Sequence, residues 1–201
     1  MNKIILRPNA TPVYEFLSRI MDQYVSEKGP GGIKILDCGA GGAVPPLAVF
    51  AHHGFDCWGI DISQEQLQQA KQYSQEMDLD LKLQKGDMRE LPFEAKTFDH
   101  VYEHFSLCHL SKADTAWTIR EMKRVLKPSG KIAFHEVFKG RAGAPYLPAP
   151  WSGDASTSFM IYADEMKQLF AENKFDVLHW QDVTEASSRW FQKQRERTKQ
   201  S

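Results

Sequence analysis

Acidic side chains and glycines stand together where short apolar runs of this sequence end. Asp37, Gly39 and Gly41 follow the apolar run 34–36, and Asp61 lies 20 residues after Gly41. Glycines in such a turn let a ligand approach the backbone closely and direct N–H groups toward it. A carboxylate at the position of Asp61 can accept hydrogen bonds from both hydroxyls of a ribose. The pattern therefore predicts a site for a ribose-containing molecule, although a plain turn between a strand and a helix also fits the glycines alone.

A third acidic position separates two kinds of nucleotide. Asp87 and Met88 follow another apolar run, and they suit the exocyclic amine and the face of an adenine ring. A nicotinamide dinucleotide has no particular need of Asp87, nor of Asp37 before the glycines. The third glycine of the dinucleotide fingerprint would also fall on Val44. The sequence therefore favours an adenosyl group over a nicotinamide dinucleotide.

Strand-like and helix-like segments alternate along the chain, and the acidic residues lie where the strands end. The pattern of apolar residues predicts strands at 34–38, 55–60, 79–83, 98–102, 131–137 and 175–183. It predicts helices at 45–50, from Ser63 onward with Ser63 as the N-cap, at 119–126 before a turn at Lys127–Gly130, and at 163–173. This alternation predicts an α/β fold with a doubly wound, mostly parallel sheet and helices on both faces. Ligands in such folds bind outside the carboxyl ends of the strands.

Composition limits the classes of protein that this chain can belong to. Its 201 residues predict one domain over 1–201, with a cap-like insertion at about 138–158 that is rich in proline, glycine and aromatic residues. The formal net charge of −1 argues against a nucleic-acid-binding protein, and no apolar stretch is long enough for a membrane helix. Three cysteines in no metal-ligand spacing predict a cytoplasmic protein without a metal site.

Four segments, in order and spacing, resemble the motifs of the class I S-adenosylmethionine-dependent methyltransferases, and within that family the small-molecule methyltransferases. They are ILDCGAGGA, GIDIS, GDMRELPFEAKTFDHV and LKPSGKIAFHE, and they span residues 33–137. The resemblance implies a Rossmann-like fold, S-adenosyl-L-methionine as cofactor and S-adenosyl-L-homocysteine as its product. Cys38 and Ala40 depart from the residues that are common in the family, in ways compatible with the motif.

The resemblance also assigns roles along the strand ends. It implies contacts with the methionine part of the cofactor, then the ribose, then one face and the edge of the adenine. The residues, in that order, are Asp37, Gly39, Ala40 and Gly41, then Asp61, then Ile62, then Asp87 with Met88. Glu103 is expected to contact the cofactor or to orient a neighbouring side chain.

The segment after the fourth strand is the expected place for a general base, which methyl transfer needs only if the acceptor must lose a proton. His104 and His109 are the candidate catalytic residues, and either histidine can instead pack against the next helix. His135 and Glu136 are further candidates near the end of the fifth strand. An Asn/Asp-Pro-Pro-aromatic motif, typical of enzymes that methylate exocyclic amines of bases or glutamine amides, is not found there.

The aromatic residues of the insertion are candidates for substrate binding. Tyr146, Trp151 and Phe159 can form part of a cage for a cationic amine or a flat hydrophobic acceptor, or they can simply pack the insertion onto the sheet. After Val183 the chain reads as helical, so the last antiparallel strand of the methyltransferase fold has no visible counterpart. A sheet edge left in this way can favour dimerisation, and we expect a monomer or a homodimer.

The leading hypothesis is therefore a methyltransferase that acts on a small-molecule acceptor, without nucleic acid or membrane as a partner. A second hypothesis is a non-catalytic cofactor-binding or partner-activating subunit that keeps the fold. A third, disfavoured by Asp37, Asp87 and Val44, is an NAD-dependent oxidoreductase.

Overall fold

The strands β1 (Lys34–Cys38), β2 (Asp56–Asp61), β3 (Leu81–Lys85), β4 (Phe98–His104) and β5 (Leu126–His135) form one sheet. The structure is a computed structural model, and it describes residues 11–24, 31–140, 143, 147, 152–189 and 192. The strands are all parallel and follow the order β3-β2-β1-β4-β5. Because the order reverses between β1 and β4, their carboxyl ends border the crevice where such sheets bind ligands.

Helices cover both faces of this sheet, as the sequence predicts. They are α1 (Thr11–Tyr24), α2 (Leu47–His52), α3 (Gln64–Glu76), α4 (Lys112–Val125) and α5 (Ala163–Glu172), and residues 184–189 are also helical. Ser63 caps α3 as predicted, since its hydroxyl accepts a hydrogen bond from the Gln66 backbone N–H at 3.3 Å. The predicted doubly wound, parallel α/β fold is confirmed.

Alternation along each strand creates two apolar cores. Ile35 packs with α1 and α2, whereas its neighbour Leu36 packs with α4 and α5, because successive side chains of a strand point to opposite faces. The same alternation applies to β4, where Tyr102 belongs to the core of α1 and α2 and Val101 to the opposite one. Residues of β4 that differ by one position therefore meet different neighbours at the functional end of the sheet.

Helix α1 is an element that our reading of the sequence missed. Its residues Val13, Phe16, Leu17 and Ile20 are buried, and their spacing is that of one helical face. Phe16 stacks on Tyr102 of β4, with 6.0 Å between the ring centroids. The helical spacing of these apolar residues is visible in the sequence. In the structure α1 covers the face of the sheet that carries Tyr102 of β4.

The strand predicted at 175–183 is wrong, because the described residues contain no strand there. Two aromatic side chains of the segment pack on helices and loops instead. Phe175 contacts Phe170 of α5 edge-on, and Trp180 lies 5.5 Å from Phe138, measured between ring centroids. In the described part of the chain, β5 is consequently the last strand of the sheet.

The predicted turn at Lys127–Gly130 lies within the span of β5. Leu126 pairs with Phe98, but the next paired residue of β4, His100, is opposite Lys131, so residues 127–130 bulge out of register. Ser129 has a φ of +66° in this bulge. From Lys131 onward the pairing is regular and brings His104 beside His135.

Candidate functional site

The turn after β1 lies close to the loop after β4. Gly39 has a φ of +108°, and a Cβ placed on it would lie 1.9 Å from Oγ of Ser106. A Cβ on Gly41 would lie 2.5 Å from Oδ2 of Asp61. Only glycine fits at these two positions, because Ser106 and Asp61 occupy the space that a side chain would need.

Asp61 is held in place by the backbone of two turns. The Gly41 N–H donates to Oδ2 at 3.0 Å, and the Ser63 N–H donates to Oδ1 at 2.8 Å. Each carboxylate oxygen can accept a second hydrogen bond, so two neighbouring hydroxyls can bind together. The next side chain, Ile62, is 65% exposed, which is unusual for a large apolar residue beside a sheet and suits contact with a flat ring.

Asp37 is a buried carboxyl group without a partner. It has no exposed surface, and neither of its oxygens has a hydrogen-bond partner in the described structure. Burial, with a smaller contribution from the charge of Asp61, raises its pKa to about 8. A buried acid in this state is costly for a folded protein unless a donor or cation binds it. The ammonium group of an amino acid would satisfy this requirement.

Ala40 and Met88, both predicted to line the site, have side chains in apolar surroundings. Ala40 is fully buried in the core of α1 and α2, and a Cβ on Gly59 would clash with its methyl group. Met88 is half-buried against the opposite core. Ala40 can therefore contact a ligand only through its backbone.

Asp87 is engaged by an arginine that our reading of the sequence did not single out. Nε of Arg89 lies 3.0 Å from both carboxylate oxygens, and its Nη2 donates to Oδ2 at 2.6 Å. The Arg89 backbone N–H also donates to Oδ1, and the pair lowers the pKa of Asp87. Nη1 of Arg89 lies 3.7 Å from Oδ1 of Asp114 at the start of α4. An adenine amine would compete with Arg89 for Asp87.

Glu103 and Glu136 are neighbouring carboxyl groups on the α4 side of the sheet, of which Glu103 is fully buried and Glu136 partly buried. Glu103 accepts hydrogen bonds from the backbone of Ser106 and Leu107, and Glu136 accepts from Leu107 at 2.6 Å and from Val137 at 3.0 Å. Burial raises the pKa of both groups, and the neighbouring carboxyl raises that of Glu103 further. Oε2 of Glu103 has no hydrogen-bond partner in the described structure. Through their bonds to the backbone of Ser106 and Leu107, the two residues fix the loop that carries Ser106 against Gly39.

His104 lies on the opposite face, in a cluster of rings. Its Nδ1 is 2.8 Å from the hydroxyl of Tyr102, and its ring centroid is 4.7 Å from that of His135 and 4.5 Å from that of Phe105. Burial lowers the pKa of His104 to about 3 and that of His135 to about 4. Both imidazoles are thus neutral at physiological pH. Phe105 and His135 line an open cleft that Glu15 and Phe16 of α1 also border.

His109 lies apart from this cluster, on an exposed turn. Its Nδ1 is 2.9 Å from the carbonyl oxygen of Thr157, which can only accept, so Nδ1 carries the proton. The Phe159 N–H donates to the carbonyl of Cys108 in the same region, and the Phe159 side chain is exposed. His109 thus connects the turn after β4 to the segment 152–159. Tyr146 and Trp151 lie outside the described residues.

The described residues contain neither a metal-binding cluster nor a membrane-spanning helix. Among the described residues, no group of three or more histidine, cysteine and acidic side chains could hold a metal ion. No helix in the described part of the chain is long and apolar enough to cross a membrane.

Comparison with known proteins gives these features a context. Residues 36–134 match a family model described as a methyltransferase domain. The chain is 34% identical over 129 residues to a sarcosine/dimethylglycine N-methyltransferase of Aphanothece halophytica, which covers 61% of this chain and 45% of the relative. It is 37% identical over 103 residues to a demethylmenaquinone methyltransferase of Staphylococcus aureus, covering 50% and 42%. The chain spans less than half the length of these two relatives.

Solved structures share the fold over more of the chain. The cyclase SpnF is 28% identical with a TM-score of 0.64, covering 82% of this chain and 59% of that one. Phosphoethanolamine N-methyltransferase 2 of Haemonchus contortus, solved with S-adenosyl-L-methionine, has a TM-score of 0.72 at 19% identity and covers 92% and 43%. These likenesses agree with the five-stranded parallel sheet described above.

Proposed function

We propose that the protein transfers a methyl group from S-adenosyl-L-methionine to a small-molecule acceptor, because residues 36–134 of this chain belong to the methyltransferase domain family. The observation that carries this proposal is the buried, unpartnered Asp37 beside the glycine turn. A cofactor with an ammonium group supplies what Asp37 lacks, and its ribose matches Asp61.

The residues of the site fit this cofactor in sequence order. Asp37 and the backbone at Gly39 and Gly41 would hold the methionine part, Asp61 the ribose hydroxyls and Ile62 a face of the adenine. When bound, S-adenosyl-L-methionine supplies a methyl group that is already activated on a sulfonium. The protein therefore has to position the acceptor and exclude water, and it needs a base only for acceptors that must lose a proton.

A nicotinamide dinucleotide fits the site less well. Its diphosphate would lie at the turn that follows β1, where helix N-termini and glycine N–H groups bind anions in dinucleotide folds. Here that turn contains the buried carboxyl of Asp37, with Asp61 close enough to raise its pKa. Two acidic groups disfavour an anion and favour an ammonium group.

Calorimetry with matched variants tests the cofactor assignment. We expect wild-type protein to bind S-adenosyl-L-methionine and S-adenosyl-L-homocysteine, and Asp61→Asn to bind them roughly 10- to 100-fold more weakly because a charge-assisted hydrogen bond is lost. Asp56→Asn is the control, since Asp56 lies at the other end of β2 and pairs with Lys82. Binding of the nicotinamide dinucleotide alone, or equal affinity of the Asp61 variant, would refute the assignment.

A cofactor-binding protein that transfers no methyl group is the second candidate. The observation in its favour is the similarity to SpnF, a protein named as a cyclase on this fold. Turnover separates the two candidates: we expect S-adenosyl-L-homocysteine to form when the protein is incubated with cofactor and a panel of phenols, amines and thiols. Tight cofactor binding with no product across the panel would favour the second candidate.

Removal of Arg89 is expected to tighten cofactor binding. Arg89 occupies the carboxylate of Asp87, so Arg89→Ala frees that group for an adenine amine. Because exposed ion pairs are weak, the gain should be only about three- to tenfold in the dissociation constant. Arg189→Ala, which removes a remote pair with Glu185, is the control. Weaker binding by Arg89→Ala alone would mean that Arg89 itself contacts the cofactor.

The remaining expectations belong to the same proposal. Composition and charge support a single domain with a cap-like insertion at about 138–158, a cytoplasmic location and no nucleic-acid partner. The expectation of a monomer or homodimer rests on the sheet edge at β5. His104 and Glu103 are proposed to act near the acceptor and the cofactor, respectively, and His109 as a link to the insertion.

A further inference from the structure

Among the residues that the structure describes, the hydroxyl of Tyr102 has a single hydrogen-bond partner. Tyr102 is 1% exposed, and its Oη lies 2.8 Å from Nδ1 of His104. The rest of the side chain packs among rings, with Phe16 stacked on it and Phe50 tilted against it. Asp37 faces the same side of the sheet, but its oxygens form no hydrogen bond with Tyr102. Within the described part of the chain, Nδ1 of His104 is therefore the one acceptor recorded for the phenol proton.

This contact determines which nitrogen of His104 carries the proton. Burial raises the pKa of Tyr102, so the phenol keeps its proton and has to donate it. If Nδ1 of His104 carried a proton, it would donate to the phenol oxygen, and the buried phenol hydrogen would have no acceptor among the described residues. A neutral imidazole has one N–H, and with Nδ1 accepting, that N–H is at Nε2.

We propose that Tyr102 fixes His104 in the form protonated on Nε2, so that His104 offers the methyl acceptor a hydrogen-bond donor and does not take a proton from it. Nε2 has no hydrogen-bond partner among the described residues, and it is not one of the enclosed side-chain atoms. His104 is half-buried, and its neighbours Phe105 and His135 line the open cleft. Tyr102 is then a positioning residue, acting through His104.

The inference about the acceptor rests on the proposed function, whereas the protonation state of His104 does not. A donor at Nε2 selects an acceptor with an electron-rich oxygen, such as a phenolate, an enolate or a carboxylate. An alkylammonium group would bring a donor to a donor at Nε2. Any proton that the acceptor must lose leaves to another group or to water.

Nuclear magnetic resonance tests the protonation state without any acceptor. In long-range ¹H–¹⁵N spectra of the labelled full chain, we expect the ring nitrogens of His104 to show an Nε2–H imidazole that does not titrate between pH 5 and 8. In Tyr102→Phe, which keeps the ring that packs on Phe16, the Nδ1 signal should shift and the two neutral forms should mix. An Nδ1–H form in the wild type, or an unchanged spectrum in the variant, would overturn the inference.

Variants of His104 test the donor role with an acceptor that the turnover panel identifies. Glutamine can donate from its amide but cannot act as a base near neutral pH, so H104Q should keep turnover within about tenfold of wild type and above H104A. Equal losses of roughly 10²- to 10⁴-fold in both variants would identify a general base instead. If calorimetry finds no S-adenosyl-L-methionine binding, the proposed function fails while the spectra still decide the state of His104.

Discussion

Gly39→Ala is expected to abolish cofactor binding, with a loss of affinity of at least about 100-fold. The new Cβ would lie 1.9 Å from Oγ and 2.8 Å from Cβ of Ser106, and the φ of +108° is strained for any side chain but hydrogen. Either the turn after β1 or the loop after β4 must move, and both border the proposed methionine site. Titration calorimetry with S-adenosyl-L-methionine measures the loss, and circular dichroism confirms that the variant is folded.

A double variant separates the clash from the backbone strain. Ser106→Gly removes both atoms that the new methyl group meets, so Gly39→Ala with Ser106→Gly should recover part of the lost affinity, while the strain at φ +108° persists. Gly140→Ala is the control, because nothing lies within 4 Å of a Cβ at that position. Undiminished affinity in Gly39→Ala would remove this turn from the cofactor site.

Asp37→Asn is expected to weaken cofactor binding and at the same time to stabilise the cofactor-free protein. The variant loses the ionic partner for an ammonium group, which should raise the dissociation constant about 10- to 100-fold. It also removes a buried acid whose pKa is raised to about 8 by burial and by Asp61. We expect the free energy of unfolding to increase by about 1–3 kcal/mol near pH 8. The gain is limited because the buried asparagine amide also lacks hydrogen-bond partners.

The sign of the pH dependence follows from the raised pKa. The folded wild-type protein keeps the Asp37 proton up to about pH 8, whereas the unfolded chain releases it near pH 4. The contribution of Asp37 to stability is therefore greatest below pH 4 and declines as the pH rises to 8, by at most about 1.4 kcal/mol per unit. Thermal unfolding at pH 5 to 8 should show this decline in wild type and a smaller one in Asp37→Asn.

Cofactor binding should show the opposite trend. An ammonium group needs the ionised carboxylate, so wild-type affinity should increase with pH up to about 8, and binding at pH 7 should release a proton. Calorimetry in two buffers with different heats of ionisation counts that proton, and Asp37→Asn should not release it. Proton release that is equal in both proteins would assign the titration to another group.

Much of the fold could be predicted because it depends on local patterns. Short apolar runs that end in glycine and aspartate specify β1 and β2, and Ser63 specifies the start of α3. The segment 175–183 has an equally strand-like composition, but whether a strand forms depends on pairing with a distant edge. There Phe175 and Trp180 pack against Phe170 and Phe138, and the described segment does not pair with β5.

The sequence predicts where the residues of the candidate site lie, but it does not predict which side chains they contact. The strand-end location of Asp37 and Asp61 follows from the topology, and the structure brings both to one turn. The engagement of Asp87 by Arg89 depends on a side-chain orientation that spacing does not determine. The same holds for His109, whose sequence position beside β4 suggests chemistry but whose ring bonds to the carbonyl of Thr157.

The alternation of β4 divides its last residues between two tasks. Tyr102 and His104 belong to the ring cluster on one face of the sheet. Glu103, between them, points to the other face, where with Glu136 it holds the following loop. Substitutions at positions 102 and 104 can therefore alter the ring cluster, while the loop that borders the proposed cofactor site keeps its shape. The proposed acceptor side can thus vary on one face of a single strand without loss of the scaffold on the other.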